Sequence, residues 1–447
     1  MQAKVAAFRQ IVIAMLFISL MFFILGFVTW LNGSLIPFLK IVCELTNFQA
    51  LWVTFAFYIA YTVMAIPAAA LMAKIGYRKS MTAGLAVMAF GAFLFIPAAK
   101  SANYAVFLIA LFTLASGMTL MQTAINPYIV CIGARESAAM RISIMGLFNK
   151  GAGIVVPLVF SALILSGVDQ YSDSAIQLMD ASARLQLRSE LANRLIFPYT
   201  FMGLGLLLFT AIIYFSNLPE IPQHDEAAPS DGGFFSVLAY PQLVLGAVSL
   251  FAYVGVEVIA GDTIGLYGRE LGLSNFAILT SFTMSAMVLG YLLGVVAIPR
   301  FLSQQQALLC SAILGVILTI GVTQAAPGSQ AMARFVYGWS GLTLLPDSVF
   351  CLALLGLANA LVWPAVWPLA LADLGKHTAA GSAFLIMGIA GGAILPMVYG
   401  KLADLGSHQA AYWLMLPCYL MIFWYALHGH KIRRWGSPAK LKAVKQA

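Results

Sequence analysis

The sequence predicts an all-α membrane protein, with twelve transmembrane helices arranged as two parallel-repeat halves of six helices each. Of its 447 residues, 62% are hydrophobic and only 9% are charged, and the mean hydropathy is +0.93. Soluble domains are nearer ~45–50% apolar and ~25% charged. A helix needs ~20 apolar residues to cross a bilayer, so a chain of this length holds about a dozen of them. The composition excludes a water-soluble enzyme and a disordered chain.

Apolar runs separated by short loops place the twelve spans in order. They cover residues 10–38, 48–73, 80–98, 103–132, 142–167, 196–217, 239–266, 275–299, 305–325, 346–373, 379–401 and 409–429. The first run is too long for the core of a signal peptide and lacks a clear cleavage site, so we expect it to be retained as the first span. An even number of spans puts both termini on the same side of the membrane.

The distribution of basic residues indicates which side that is. Segments on the side of the termini hold 15 Lys and Arg residues, and segments on the opposite side hold 8. Because Lys and Arg accumulate in cytoplasmic loops, we expect both termini in the cytoplasm. This bias explains the net charge of +8, and we expect no nucleic-acid partner.

On the outer side, residues 168–195 predict a short amphipathic helix from Ile176 through Leu191.

A second long connection divides the chain near its middle. Residues 218–236 contain three prolines and two glycines together with several acids, a composition typical of a flexible linker. We expect this linker to be cytoplasmic. It separates an N-terminal six-helix half at 1–217 from a C-terminal six-helix half at 237–430, which is followed by a basic cytoplasmic tail at 431–447.

Three short matches between the halves indicate an internal duplication. Their offsets lie between 228 and 239 positions, and they pair Thr46-Asn47-Phe48 with Ser274-Asn275-Phe276, Gln122 and Pro127 with Asn359 and Pro364, and Gly151–Pro157 with Ala390–Pro396. Parallel six-helix repeats are an architecture of membrane transporters, which bind their substrate near the midplane between the halves.

Polar side chains inside the spans are the candidates for that substrate site, because an unsatisfied polar group in hydrocarbon costs several kcal/mol. The candidates are Asn32, Gln122, Asn126 and Asn149 in the N-terminal half, and Glu257, Asn359 and Trp363 in the C-terminal half. Amides both donate and accept hydrogen bonds, and tryptophan faces can stack on a sugar ring, so this set favours a neutral sugar. The amides could instead serve as interhelical hydrogen bonds, and Trp363 could face lipid.

Two acidic residues are candidates for binding a coupled ion. Of the 16 Asp and Glu residues, Glu257 and Asp262 are the two that fall inside an apolar run. Glu257 could bind a cation or proton, hydrogen-bond the sugar directly, or form a structural pair with Lys150. Asp262 lies nearer the end of its span and could be simply solvated.

The sequence offers no set of residues for catalysis. The five cysteines form no CxxC pair, and the five histidines lie in loops or near span ends. No His–Asp–Ser set, metal cluster or phosphate-binding loop is evident. We therefore expect no enzyme activity, no catalytic residue, no bound metal and no cofactor, apart from a co-transported ion.

Several motifs resemble bacterial fucose and glucose/galactose permeases of the major facilitator superfamily. The matching segments are Phe27–Pro37 in span 1, Gln122–Tyr128 in span 4, Phe148–Gly151 in span 5, Tyr253–Glu257 in span 7, Trp363-Pro364 in span 10 and Gly381–Met387 in span 11. The resemblance covers essentially the whole chain. It implies the fold of that superfamily and a sugar symporter that works by alternating access in a bacterial inner membrane.

Two departures from the fucose permeases bear on the coupled ion. Those proteins carry an Asp in the span 1 motif and a Glu in span 4, whereas this chain has Gly33 and Gln122, neither of which titrates. The glucose/galactose branch, which the chain resembles more closely, shares such neutral positions and is associated with sodium. Sodium suits oxygen ligands, by the logic that holds for other hard cations.

The sequence therefore predicts a monomeric symporter in the lipid bilayer, with glucose or galactose as its substrate and sodium as the coupled ion. N-acetylglucosamine or fucose are alternative substrates, and a proton bound at Glu257 is the alternative ion. Uniport and a sugar sensor that does not transport also remain open at this stage.

Overall fold

The fold was described from a computed structural model, which covers residues 2–131, 138–164, 179–216, 218, 234–298, 301–326, 328–341, 343–374 and 377–435. Within these residues, twelve helical stretches are long and apolar enough to cross a membrane. The predicted all-α fold class with twelve spans is therefore confirmed.

Eight described helices, of which α2 is a single turn, make up the first group of six spans. They are α1 (Gln2–Cys43), α2 (Asn47–Ala50), α3 (Trp52–Ile75), α4 (Tyr77–Ser101), α5 (Tyr104–Cys131), α6 (Ala138–Leu163), α7 (Ala181–Asn193) and α8 (Ile196–Phe215). The α7 helix lies outside the apolar runs and precedes span 6.

The later six spans are more often broken into two helices. They are formed by α9 (Pro241–Asp262), α10 (Ile264–Glu270), α11 (Leu279–Ala297), α12 (Gln304–Gln324), α13 (Ala331–Tyr337), α14 (Asp347–Asn359), α15 (Val362–Leu371), α16 (Thr378–Met387), α17 (Gly391–Leu405), α18 (His408–Ala411) and α19 (Met415–Leu427). Short 3-10 turns join several of them, and α10 and α13 lie in the connections between spans.

Within the described residues, the helix predicted from Ile176 through Leu191 is present from Ala181 onward. Ile176 itself falls outside the described residues, but Asp180 is not helical and its side chain accepts a hydrogen bond from the Ala183 backbone N–H. An Asp that caps the first turn in this way fixes the N-terminus of a helix. The helix therefore starts at Ala181.

Span 10, predicted over 346–373, is confirmed as a spanning stretch at Asp347–Leu371, but its helix is interrupted. The helix α14 ends at Asn359 and α15 begins at Val362. Pro364 is the cause, because proline has no N–H to donate to the carbonyl oxygen four residues earlier, at Ala360, and its ring crowds that carbonyl. The break lies directly after a predicted site residue, Asn359.

Small residues allow close packing within each group of six spans. A Cβ atom added at Gly84 would lie 2.7 Å from the Gly117 carbonyl oxygen, and one added at Gly117 would lie 2.6 Å from the Gly84 carbonyl oxygen. Without Cβ atoms, α4 and α5 approach until their backbones touch. Such packing holds membrane helices together where burial from water gives no driving force.

The two groups of spans meet along several helix pairs. Within the first group, α1 packs on α6 and α4 on α5 and α8, and within the second, α14 packs on α11 and α12, and α9 on α17. Between the groups, α6 packs on α11, α3 on α17, and α1 on α9 and α10. Residues 219–233 of the proposed linker and 436–447 of the proposed tail lie outside the described residues.

One end of the bundle is closed by hydrogen bonds between the two groups, and we call it the closed end. The carboxylate oxygens of Asp404 accept hydrogen bonds from the backbone N–H groups of Asn47 and Phe48, each at 2.9 Å. Nearby, the Ser34 hydroxyl donates to the Ala277 carbonyl oxygen at 3.1 Å. Toward the other end of the bundle, Asn126 of span 4 and Pro364 of span 10 are exposed.

Candidate functional site

An ion pair joins the two groups of spans in the middle of the bundle. The Lys150 Nζ atom of α6 lies 2.6 Å from Oε1 of Glu257 on α9. The two side chains are only 12% and 11% exposed. Taking one such charge out of water costs several kcal/mol, and leaving it unpaired is strongly unfavourable. Each of these residues therefore depends on a partner of opposite charge.

A tryptophan covers the ion pair on the side of α1. The Lys150 ammonium lies over the Trp30 ring, 4.4 Å from its centroid, a geometry that favours a cation–π interaction. Trp30 can come this close to α9 because position 261 is glycine, where an added Cβ would lie 2.7 Å from the indole. The buried Trp30 Nε1–H has no hydrogen-bond partner among the described residues.

Aromatic rings continue the cluster on the other side of Glu257. Tyr253 lies one helical turn before Glu257, and its ring centroid is 6.4 Å from that of Trp363 on α15. Trp363 in turn stacks on Trp367, with centroids 5.2 Å apart and an interplanar angle of 27°. We call Trp30, Lys150, Glu257, Tyr253 and Trp363 the central cluster. It combines two charges with flat aromatic faces and spans both groups of helices.

Two predicted amides are buried with unused donors. Asn32 and Asn359 are each 1% exposed, and the side-chain N–H group of each has no hydrogen-bond partner in the described chain. The Asn359 Oδ1 atom accepts a hydrogen bond from the Tyr419 hydroxyl at 2.8 Å, which orients the amide. Unpaired buried donors are rare in folded proteins, so each calls for a specific explanation. A ligand rich in hydroxyl oxygens supplies one.

The other predicted amides of the N-terminal half are placed differently. Gln122 is half-buried and Asn126 is exposed, and neither contacts the central cluster through a hydrogen bond within the described residues. Asn149 donates to the Phe22 carbonyl oxygen at 3.4 Å, which is the interhelical hydrogen bond that sequence reasoning allowed as an alternative. Glu257 and Trp363 are the predicted site residues that the structure joins in one cluster.

Of the two sequence-based alternatives for Asp262, simple solvation is excluded by its burial. Its side chain is fully buried, at 0% exposure, five residues beyond Glu257 toward the closed end. Its Oδ2 atom lies 3.4 Å from the Thr54 hydroxyl of α3, and its Oδ1 atom has no partner among the described residues. The helices of the two groups pack together here and exclude water, which hydropathy along one segment could not reveal.

Sequence reasoning gave too little weight to three members of the central cluster. Lys150 was considered only as a structural partner of Glu257, and Trp30 and Tyr253 were not singled out. A lysine inside a membrane span is costly enough to indicate function by itself, so Lys150 could have been found. The two aromatic residues lie in the motifs Phe27–Pro37 and Tyr253–Glu257, but among 8 Trp and 17 Tyr residues polarity alone did not single them out.

Comparison with known proteins identifies the family. The sequence matches the Major Facilitator Superfamily over residues 18–396. The chain belongs to this superfamily. It is 35% identical over 419 residues to the glucose/galactose transporter of Brucella abortus, a match that covers 93% of each protein. It is 28% identical over 436 residues to the L-fucose-proton symporter of Escherichia coli, covering 94% of this chain and 93% of that protein.

A solved structure agrees with this assignment. The crystal structure of the transporter FucP in the outward conformation has a TM-score of 0.69 and 26% sequence identity, and the match covers 94% of this chain and 99% of that one. The resemblance predicted from the motifs is thus confirmed. This protein is a multi-pass membrane protein and a sugar transporter of the Major Facilitator Superfamily, not an enzyme.

Proposed function

We propose that this protein imports a neutral hexose, glucose or galactose, together with a cation across a bacterial inner membrane. The observation that carries the proposal is the central cluster, where a paired lysine and glutamate adjoin tyrosine and tryptophan rings between the two groups of spans. Sugars present both hydroxyls, which hydrogen-bond to charged and amide groups, and C–H faces, which pack on aromatic rings. The Brucella relative is named for glucose and galactose.

The neutral charge of the site supports an uncharged substrate. Lys150 and Glu257 cancel each other, so a sugar carrying a phosphate or carboxylate would add a buried charge without a partner. In the proposed site, Asn32, Gln122, Asn126 and Asn149 form the wall of the N-terminal half. Glu257, Asn359 and Trp363 form the wall of the C-terminal half, and the free amide donors of Asn32 and Asn359 bind sugar oxygens.

Sodium is the first candidate for the coupled cation, because carboxylate, hydroxyl and amide oxygens are the ligands that hard cations prefer. Glu257 and Asp262 are the proposed ion-binding residues. A proton is the second candidate, favoured by the unpaired oxygen of buried Asp262 and by the name of the Escherichia coli relative, a proton symporter.

The proposed transport cycle is alternating access between the halves at 1–217 and 237–430, joined by the linker at 218–236. The loops at the closed end belong to the set of loops with fewer Lys and Arg residues. We therefore assign the closed end to the periplasm and both termini to the cytoplasm. In this assignment the structure is closed to the outside, whereas FucP was solved in the outward conformation. The protein works as a monomer in this proposal.

Uptake of radiolabelled glucose into proteoliposomes tests the proposed function. We expect accumulation above the external concentration with an inward sodium gradient, and competition by unlabelled galactose. Accumulation only with a proton gradient would change the ion and keep the mechanism. Competition by fucose or N-acetylglucosamine in place of galactose would change the sugar. No flux of any of the four sugars under either gradient would contradict the proposal.

A further inference from the structure

The ion pair in the central cluster limits which charges the site can hold. Lys150 and Glu257 belong to different groups of spans and pair with each other at 2.6 Å, with both side chains nearly buried. A buried carboxylate needs a positive partner, since an uncompensated charge away from water is strongly unfavourable. Glu257 can satisfy this need in two ways, by Lys150 or by a transported cation.

Lys150 and a transported cation cannot both pair with Glu257, because the total charge of the buried site would not be balanced. A site that holds Lys150, Glu257 and a cation in direct contact carries an excess positive charge away from water. A site without either cation leaves Glu257 as a bare carboxylate. Lys150 keeps one partner when its bond to Glu257 breaks, because in the same position its ammonium also lies over the Trp30 ring, 4.4 Å from the centroid, a geometry that favours a cation–π interaction.

We propose that Lys150 is the internal counter-ion that replaces the transported cation on Glu257 when the carrier is empty. The cation displaces Lys150 from Glu257 during loading, and Lys150 keeps its contact with the Trp30 ring. When cation and sugar leave, Lys150 returns to Glu257 and the empty site is neutral. This inference rests on the proposed cation symport and assigns a role to a residue outside the proposed substrate and ion ligands.

Net uptake and sugar exchange should differ in their need for Lys150. Net uptake requires the empty carrier to reorient, and that step needs Lys150 on Glu257. Exchange of internal for external sugar cycles between loaded states, where the transported cation is bound to Glu257. Loss of the lysine charge therefore harms net uptake far more than exchange.

The test compares Lys150→Gln with wild type in proteoliposomes. Net uptake is driven by a cation gradient, and exchange is measured with equal cation on both sides and unlabelled sugar inside. We expect the ratio of exchange to net uptake to rise about tenfold or more in the variant, the effect of about 1.4 kcal/mol on the empty carrier. Lys150→Arg, which keeps the charge, should hold the ratio near the wild-type value.

Further variants separate this role from a structural one. The double variant Lys150→Gln, Glu257→Gln has no buried charge and should regain net downhill uptake that is insensitive to the cation. Lys74→Gln is the matched control, because Lys74 is exposed at the end of α3. Size-exclusion chromatography checks that each variant is folded.

Three outcomes would overturn the proposal: an unchanged ratio in Lys150→Gln, an equal loss of both modes in a folded variant, or a double variant that is less active in net uptake than Lys150→Gln. If wild-type protein moves no sugar in either mode, the proposed function itself fails. That result is distinct from any of these three.

Discussion

Two regions of α9, five residues apart, handle a buried carboxyl group in opposite ways. Glu257 has a lysine 2.6 Å away on the other group of spans. Asp262 has only the Thr54 hydroxyl at 3.4 Å, and its second oxygen has no partner in the described chain. A carboxylate without a partner is expensive to bury, so the packing around Asp262 disfavours a charge there, while Lys150 supplies the counter-charge at Glu257.

The position of a carboxyl group along α9 therefore decides whether that group can exchange one bound cation for another. Glu257 lies where the two groups of spans leave room for aromatic rings and an ammonium, so it can exchange one cation for another. Asp262 lies where the groups are packed together next to the closed end, so its charge state is linked to that packing. The variants below test this contrast between Glu257 and Asp262.

The largest effect is expected for Glu257→Gln. This change leaves Lys150 as a buried ammonium without its counter-ion and removes the ligand for the transported cation. Concentrative uptake should be abolished, and any residual flux should no longer respond to a sodium or proton gradient. Glu190→Gln is the control, since Glu190 is 65% exposed. Sodium activation that persists in Glu257→Gln would remove Glu257 from the coupling site.

A smaller effect is expected for Asp262→Asn, which copies the shape of the neutral acid. The titratable groups nearest to Asp262 are Glu257 on its own helix and Tyr58 on α3. Opening of the closed end hydrates Asp262, and a charged Asp262 opposes closure, so wild-type exchange should slow as pH rises.

The Asp262→Asn variant, which cannot ionise at this position, should lose most of this slowing while keeping exchange at the lower pH within about threefold of wild type. Exchange rates across the pH range measure this directly. A pH profile that is identical in the two proteins would show that the ionisation of Asp262 is not linked to closure.

The smallest effect is expected for Thr54→Val. The hydrogen bond that it removes is long, at 3.4 Å, and a typical intramolecular hydrogen bond contributes only about 1 kcal/mol. The transport rate should change by about fivefold or less, in keeping with that energy. Thr82→Val, at a residue whose hydroxyl bonds only to the backbone of its own helix, serves as the comparison. A complete loss of transport in Thr54→Val alone would mean that this contact does more than support Asp262.

Much of the fold could be predicted from the sequence because span length and hydropathy are local properties. Twelve apolar runs gave twelve spans, since each run must satisfy its backbone hydrogen bonds as a helix in lipid. The break between Asn359 and Val362 was missed, although Pro364 was visible, because prolines inside membrane helices do not always interrupt them. Pro67 and Pro157, for example, lie within the unbroken helices α3 and α6.

The site was less predictable because its contacts join distant segments. Intramembrane polarity singled out Glu257 and Asn359, but hydropathy could not show that Glu257 and Lys150 meet across 107 positions or that Asp262 is sealed from water. Asn149 is a further example: its sequence position marks it as a candidate ligand, but could not show that its amide also lies 3.4 Å from the Phe22 carbonyl oxygen of α1.

The central claim is that sugar and cation meet at the central cluster, and binding measured by tryptophan fluorescence tests it most directly. Trp30 and Trp363 lie within the cluster, so glucose should change the emission of purified protein in a saturable way. Binding should tighten when the coupled cation is present, and the cation effect should vanish in Glu257→Gln. Saturable binding with the same cation dependence in wild type and Glu257→Gln would contradict the account.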